Sequence, residues 1–267
     1  MNDESTVSEL SRVARATSVV GSLTFLSRVA GLARDITIGY LLGAQSAADA
    51  FFVAFRIPNL LRRLTAEGAL SAGFVPVLSS YLVNRGRRDA IEASRVIGTF
   101  AVVFLVLLTL SGMLLSSPLT RLFAPGFTAT SEKFALTVSL VRIMFPSIFF
   151  VSLVAFAMGY LNTFRHFLAP AVAPVLLNLS IIASAFLLIP LLAQPVVALA
   201  YGVLFGSVAQ FLLQVPFLRR HGFSWRPSLD FRNAALMRFL RLMGPAVVGA
   251  AVYQSNVLAS TILASLL

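Results

Sequence analysis

The sequence predicts an all-α protein that crosses a membrane several times, and three observations carry that prediction. Apolar runs of roughly 20 residues recur along the chain, the length a helix needs to cross the hydrocarbon core. Only 12% of residues are charged and 58% are hydrophobic, whereas a soluble domain carries about 25% charged residues. The period-two alternation of a membrane β-barrel strand is absent.

The elements follow in order. Residues 1–16 (MNDESTVSELSRVARA) are polar and carry Asp3, Glu4 and Glu9. They lack the basic start and clean apolar core of a cleaved signal peptide, so the first span is expected to remain and act as its own insertion signal. Apolar stretches then predict spans over 17–43, 49–81, 93–117, 134–161, 167–191 and 196–218. A loop over 219–233 leads to a seventh span over 234–267. The chain stops in an apolar run, STILASLL, which suggests a longer protein with a second lobe beyond residue 267.

Basic residues set the orientation. Arg12 and Arg15 precede the first span. Arg85, Arg87 and Arg88 lie in loop 82–92, Arg165 in the turn at 162–166, and Arg219, Arg220, Arg226 and Arg232 around loop 219–233. The alternate connections are nearly bare, with only Arg121 and Lys133 around 118–133. The positive-inside rule therefore predicts a cytoplasmic N-terminus. This topology also accounts for most of the net charge of +11, which in a soluble chain would point to nucleic acid. No nucleic-acid partner is expected.

Glycine and proline punctuate the spans. Gly39 and Gly43 form a GxxxG in the first, and Gly31 precedes them. Pro58 and Pro76 interrupt the second, Pro146 the fourth, Pro170 and Pro174 the fifth. Close packing and tolerated kinks explain such residues in general. Gly31 and Pro58 are the candidate hinges, because they sit in the two spans that also carry charge.

Those charges are the chief anomaly. The first span holds Arg28, Arg34 and Asp35, and the second holds Asp49, Arg56, Arg62, Arg63 and Glu67. An arginine at the centre of a spanning helix costs about 2.5–3.5 kcal/mol on insertion scales, so such residues mark polar cavities or pairs. Arg28 and Asp35 are seven apart and share a helical face. Arg34 is rotated away from it. Arg63 and Glu67 form an i,i+4 pair, and Arg56 lies one heptad from Asp49. Arg62 is rotated about 100° from Arg63. This pairing leaves Arg28 or Arg34, together with Arg62, to face an external anion. Planar guanidinium forks bind phosphate oxygens in pairs, so Arg28, Arg34 and Arg62 are the candidate substrate-binding residues. Structural snorkelling is the competing explanation.

Other chemistry is sparse. The chain has no cysteine, which excludes disulfides and thiolate ligands. HExxH, GxSxG and Walker A motifs are absent. No catalytic residue, metal or cofactor is expected, and any pumping would draw on a gradient or membrane potential. His166 and His221 fall in turns beside arginines. Asn178, Gln210 and Arg142 are polar residues on later spans, suited to hydrogen bonding between helices.

The strings SRVAGLARD (27–35) and ADAFFVAFRIPNLLRRLTAEGALSAGFVPVLSSY (48–81) closely resemble the MurJ/MviN family. APGF (124–127), FALT (134–137), LNTFRHFLAPAVAPVLLN (161–178) and MGPAVVGAAVYQSN (243–256) extend the likeness. The resemblance implies the multidrug/oligosaccharidyl-lipid/polysaccharide exporter superfamily. It also implies two six-helix lobes around a central cavity, of which this chain would be the N-terminal lobe plus the seventh helix. The implied activity is flipping of lipid II, an undecaprenyl-pyrophosphate-linked disaccharide-pentapeptide, from the inner to the outer leaflet of the bacterial cytoplasmic membrane. Its cavity arginines would match Arg28, Arg34 and Arg62. Asp49 and Glu67 would match its acidic positions. The implied partners are lipid II, membrane lipids and the second lobe. Two departures stand beside the likeness: a further cavity arginine of the eighth helix would lie beyond residue 267, and no acidic residue follows Asp230 to support sodium coupling in the seventh helix. A related exporter of another polyprenyl-linked or small substrate, and a non-transporting membrane scaffold, remain the alternatives.

Overall fold

The computed structural model describes residues 3–42, 46–63, 71–129, 131–228 and 230–266. Among them the chain forms helices α1 (Asp3–Leu42), α2 (Ser46–Arg62), α3 (Ser71–Asn84), α4 (Arg87–Leu114), α5 (Ser116–Phe123), α6 (Ser131–Met144), α7 (Pro146–Thr163), α8 (Leu168–Leu188), α9 (Pro195–Arg220) and α10 (Ala234–Leu266). Short 3-10 turns occupy Pro125–Ala129 and Ile189–Leu191, and the described residues contain no strand. Among the described residues, five helical stretches are long and apolar enough to cross a membrane: Arg87–Leu114, Glu132–Thr163, Leu168–Leu191, Pro195–Arg220 and Ala234–Val252.

Within the span expected over 49–81, the described residues form α2 and α3, and residues 64–70 between them lie outside the described residues. α1, which carries Arg28 and Arg34, and the described 17 residues of α2 are not among these five. Pro146 does not end its span. A proline is tolerated at the first position of a helix, where its missing N–H has no carbonyl to meet. So α7 starts there directly after α6, with Phe145 N bonded to Val141 O at 2.8 Å.

The helices bury two apolar clusters. One gathers Ile38 and Leu42 of α1, Phe51 and Ile57 of α2, Phe127, Met144 and Phe145, Ile181 of α8 and Leu199 of α9. The other gathers Phe74 and Leu78 of α3, Ile97 of α4, Phe156 and Tyr160 of α7, Phe223, and Phe239 of α10. Apolar side chains also point outward, including Ile36 and Tyr40 on α1, Leu107 and Leu114 on α4, Phe186 and Leu187 on α8, and Val248 and Val252 on α10. A membrane helix exposes such residues to lipid rather than to water.

α8 and α9 approach each other closely. Gly202 and Gly206 of α9 form a GxxxG on one face, the spacing that lets two helices meet closely in a membrane. A methyl added at Gly202 would overlap Ser184 Oγ and lie 2.9 Å from Ile181 Cα, and one at Gly206 would lie 3.1 Å from Leu177 Cα. The GxxxG expected to pack in the first span does not do so at Gly39, where an added methyl meets nothing within 4 Å. Gly43 lies outside the described residues.

The connection after α9 is held against the bundle. Arg87 Nη2 and Tyr160 Oη both donate to the His221 carbonyl, each at 3.0 Å. Arg95 donates to Ser224 through Nε (3.2 Å) and Nη2 (2.6 Å), and Ser228 N donates to Thr99 Oγ1 at 3.0 Å. Phe223 is buried edge-on between Phe156 and Tyr160. Gly222, at φ 87°, supplies the left-handed turn that lets the chain reverse after α9. Here too His166 and His221 meet, ring centroids 5.1 Å apart. Burial, and then the neighbouring His221, hold the His166 pKa below the usual imidazole value.

Candidate binding cavity

A cavity of about 620 Å³ opens among α1, α2, α3, α6, α7, α8 and α9. This is the size range of small-molecule sites. Most of its lining is apolar: Phe55, Pro58, Val75, Ile148, Val151, Met158, Pro174, Leu177 and Val203 among others. The polar exceptions are Arg34 of α1, Asn59 and Arg62 of α2, Ser147 and Asn162 of α7, and Gln210 of α9. Among the described residues no carboxylate lines it.

Arg34 is held from two sides. Its Nε and Nη2 donate to Asp35 Oδ1 at 3.0 and 2.8 Å, and its Nη1 donates to Asn178 Oδ1 at 2.9 Å. Asn178 is buried on α8 and passes the link on, donating from Nδ2 to the Ser27 carbonyl of α1 at 3.2 Å. One amide of α8 thus holds both the Arg34 side chain and the backbone of α1. Gly31 faces the same amide: a methyl there would stand 3.6 Å from Asn178 Nδ2, an ordinary contact distance. A guanidinium has five N–H donors. Three of Arg34's are used, so Nη1 and Nη2 each keep one hydrogen for a ligand.

Arg62 donates from Nε to Asn59 Oδ1 at 2.9 Å, one turn back on α2. The i,i+3 spacing is visible in the sequence, but the partner is an uncharged amide, which a pattern of opposite charges does not mark. Pro58 lies between the two arginine-bearing turns of α2, inside a continuous helix and facing the cavity. α1 likewise runs through Gly31 without interruption.

The remaining expected residues separate. Arg28 does not line the cavity and is exposed on α1. Asp35 pairs with its sequence neighbour Arg34 rather than with Arg28, seven residues back on its own face. The expected Asp49–Arg56 pair is not formed. Asp49 Oδ2 instead accepts from Lys133 Nζ of α6 at 2.8 Å, and Lys133 also sits 4.1 Å from the Phe127 ring centre. Arg56 turns to α10, where its Nη1 reaches Thr261 Oγ1 at 3.3 Å. A residue 84 positions away wins because positions seven apart on a helix share a face but stand about 10 Å apart along its axis. Glu67, and with it the expected Arg63–Glu67 pair, lies outside the described residues. Arg142 is tied by Nε to buried Ser116 Oγ at 2.8 Å.

These features define a class: a multi-span α-helical membrane protein in which α1 and α2 bring guanidinium groups to an otherwise apolar cavity. A family model described as "Lipid II flippase MurJ" matches residues 38–267. The lipid II flippase MurJ of Burkholderia cenocepacia is 41% identical over 255 residues, covering 94% of this chain and 49% of that protein. The probable lipid II flippase MurJ of Vibrio cholerae is 40% identical over 275 residues, covering 99% of this chain and 51% of its own length. A solved lipid II flippase MurJ in an inward closed conformation superposes with a TM-score of 0.73 at 28% identity, covering 92% of this chain and 50% of that one. A MOP superfamily transporter from Pyrococcus furiosus, 17% identical with a TM-score of 0.69 and covering 88% of this chain, shares the fold alone. The chain belongs to the MurJ family. It spans about half the length of the relatives it matches.

Proposed function

We propose that this chain is the N-terminal lobe of a lipid II flippase of the bacterial cytoplasmic membrane, and that its cavity receives the pyrophosphate of the lipid. The observation that carries the proposal is the meeting of Arg34 and Arg62 at one apolar cavity. In low dielectric a charge-assisted bond to phosphate gains strength, and the two hydrogens left on Arg34 Nη1 and Nη2 suit paired phosphate oxygens. A cation exporter would instead need an anionic lining, and the described lining holds none.

In this mechanism the polyprenyl tail stays in the bilayer while the headgroup enters from the cytoplasmic side. Arg34 and Arg62 hold the phosphates. Arg28, exposed on the same helix as Arg34, meets the headgroup on its way. Inward-to-outward rocking against a second lobe then carries the headgroup across. Pro58 breaks one backbone bond in α2 and lets that helix bend beside Arg62. The N-terminus lies in the cytoplasm, as the arginine-rich connections require.

The test is alanine substitution of Arg28, Arg34 and Arg62, one at a time, in the gene product that contains this chain, expressed in cells depleted of their own lipid II flippase. Loss of growth and flipping is expected. Wild-type rates in all three variants would end the proposal.

A further inference from the structure

We propose that the cavity also holds an uncharged hydrogen-bonding subsite, formed by Gln210, Asn162 and Asn59, that takes the hydroxyl- and amide-bearing headgroup attached to the phosphate. The inference rests on the reading that Arg34 and Arg62 hold that phosphate.

Gln210 lines the cavity, is only 5% exposed, and its side chain makes no hydrogen bond among the described residues. Asn162 lines the same cavity, and its buried Oδ1 has no partner. Asn59 spends its Oδ1 on Arg62 and keeps its amide hydrogens, one turn from that guanidinium. Behind them, Gln214 is fully buried one helical turn beyond Gln210 on α9, and neither Oε1 nor Nε2 has a partner. Buried amides in folded proteins are almost always hydrogen-bonded. Here three carboxamide side chains with unused hydrogen-bonding capacity converge on one apolar hollow, beside a cation, and a fourth stands behind them.

The chemistry of the set selects its ligand. Carboxamides donate and accept at once, so they match hydroxyl and acylamino groups, which do the same. They repel no charge and attract none strongly, so they would not hold a second phosphate in preference to the arginines. A ligand that places an anion at Arg62 and a neutral polar ring beyond it satisfies both parts of the cavity. Sites built to hydrogen-bond a polar group discriminate strongly against ligands that lack it.

The experiment uses this chain in lipid nanodiscs and two probes: undecaprenyl pyrophosphate, which has no sugar, and undecaprenyl pyrophosphate bearing an N-acetylated disaccharide. The variants are Gln210→Met and Asn162→Leu, which keep side-chain bulk and remove the amide. Each is expected to weaken the glycosylated lipid about tenfold and to leave the sugar-free lipid within about twofold. Unchanged binding of the glycosylated lipid would overturn the subsite and leave the amides to water alone. Equal loss of both lipids would overturn it too, as a packing effect. If wild-type chain does not prefer undecaprenyl pyrophosphate over undecaprenol, the arginine reading itself has failed, and the subsite falls with it.

Discussion

Asn178→Leu offers a sharp perturbation of the arginine site without touching an arginine. The substitution keeps much of the side-chain bulk and removes two bonds, the 2.9 Å contact from Arg34 Nη1 and the 3.2 Å contact to the Ser27 carbonyl. The first is charge-assisted, worth about 1.5–3 kcal/mol, and the second is neutral, worth about 0.5–1.5 kcal/mol. Arg34 keeps Asp35, so its charge is not left bare. What it loses is the anchor on α8, and a long side chain so released must be reordered when an anion binds, at a cost of about 1–2 kcal/mol. Affinity for undecaprenyl pyrophosphate, measured by titration in nanodiscs, should therefore fall about 5–30-fold. Asn178→Asp separates positioning from charge. It keeps an acceptor for Arg34 but adds a carboxylate that competes with phosphate, so its affinity should fall below that of the leucine variant. Wild-type affinity in Asn178→Leu, or tighter binding in Asn178→Asp, would refute the reasoning.

Other expectations follow from the packing and the charges. Gly202→Val should destabilise the α8–α9 contact by about 1–3 kcal/mol or more, while Gly39→Ala should be nearly silent; thermal inactivation in detergent compares them. Asp49→Asn should cost less than about 1 kcal/mol, because the carboxylate facing Lys133 is 62% exposed and screened, and a Asp49→Lys, Lys133→Asp exchange should recover any loss. His166 has a lowered pKa in the folded chain, so the unfolded chain takes up its proton first. Stability should hold above about pH 6.5 and decline as the pH falls below it. His166→Phe should flatten that decline in melting curves at pH 5.5 and 7.5.

Helix existence was legible wherever composition alone decides. α9 at 195–220 and α8 with its terminal turn at 168–191 fall within two residues of the spans expected from apolar length. The site was legible in part. Residue type singled out Arg34 and Arg62, since arginine in an apolar run is conspicuous on its own. Partners were misjudged, because helical spacing sees one helix at a time. Asn178 on Arg34, Lys133 on Asp49 and Thr261 on Arg56 all arrive from other helices. The amides at Asn162 and Gln210 carry no charge, so nothing in the linear pattern marked their convergence on the cavity.

The central claim is that Arg34 and Arg62 recognise pyrophosphate. The direct measurement is the ratio of affinities for undecaprenyl pyrophosphate and uncharged undecaprenol, in wild type and in an Arg34→Gln, Arg62→Gln double variant. The account predicts a preference for the pyrophosphate of at least about a hundredfold in wild type, collapsing to within a fewfold in the double variant. A double variant that keeps the wild-type preference would contradict it.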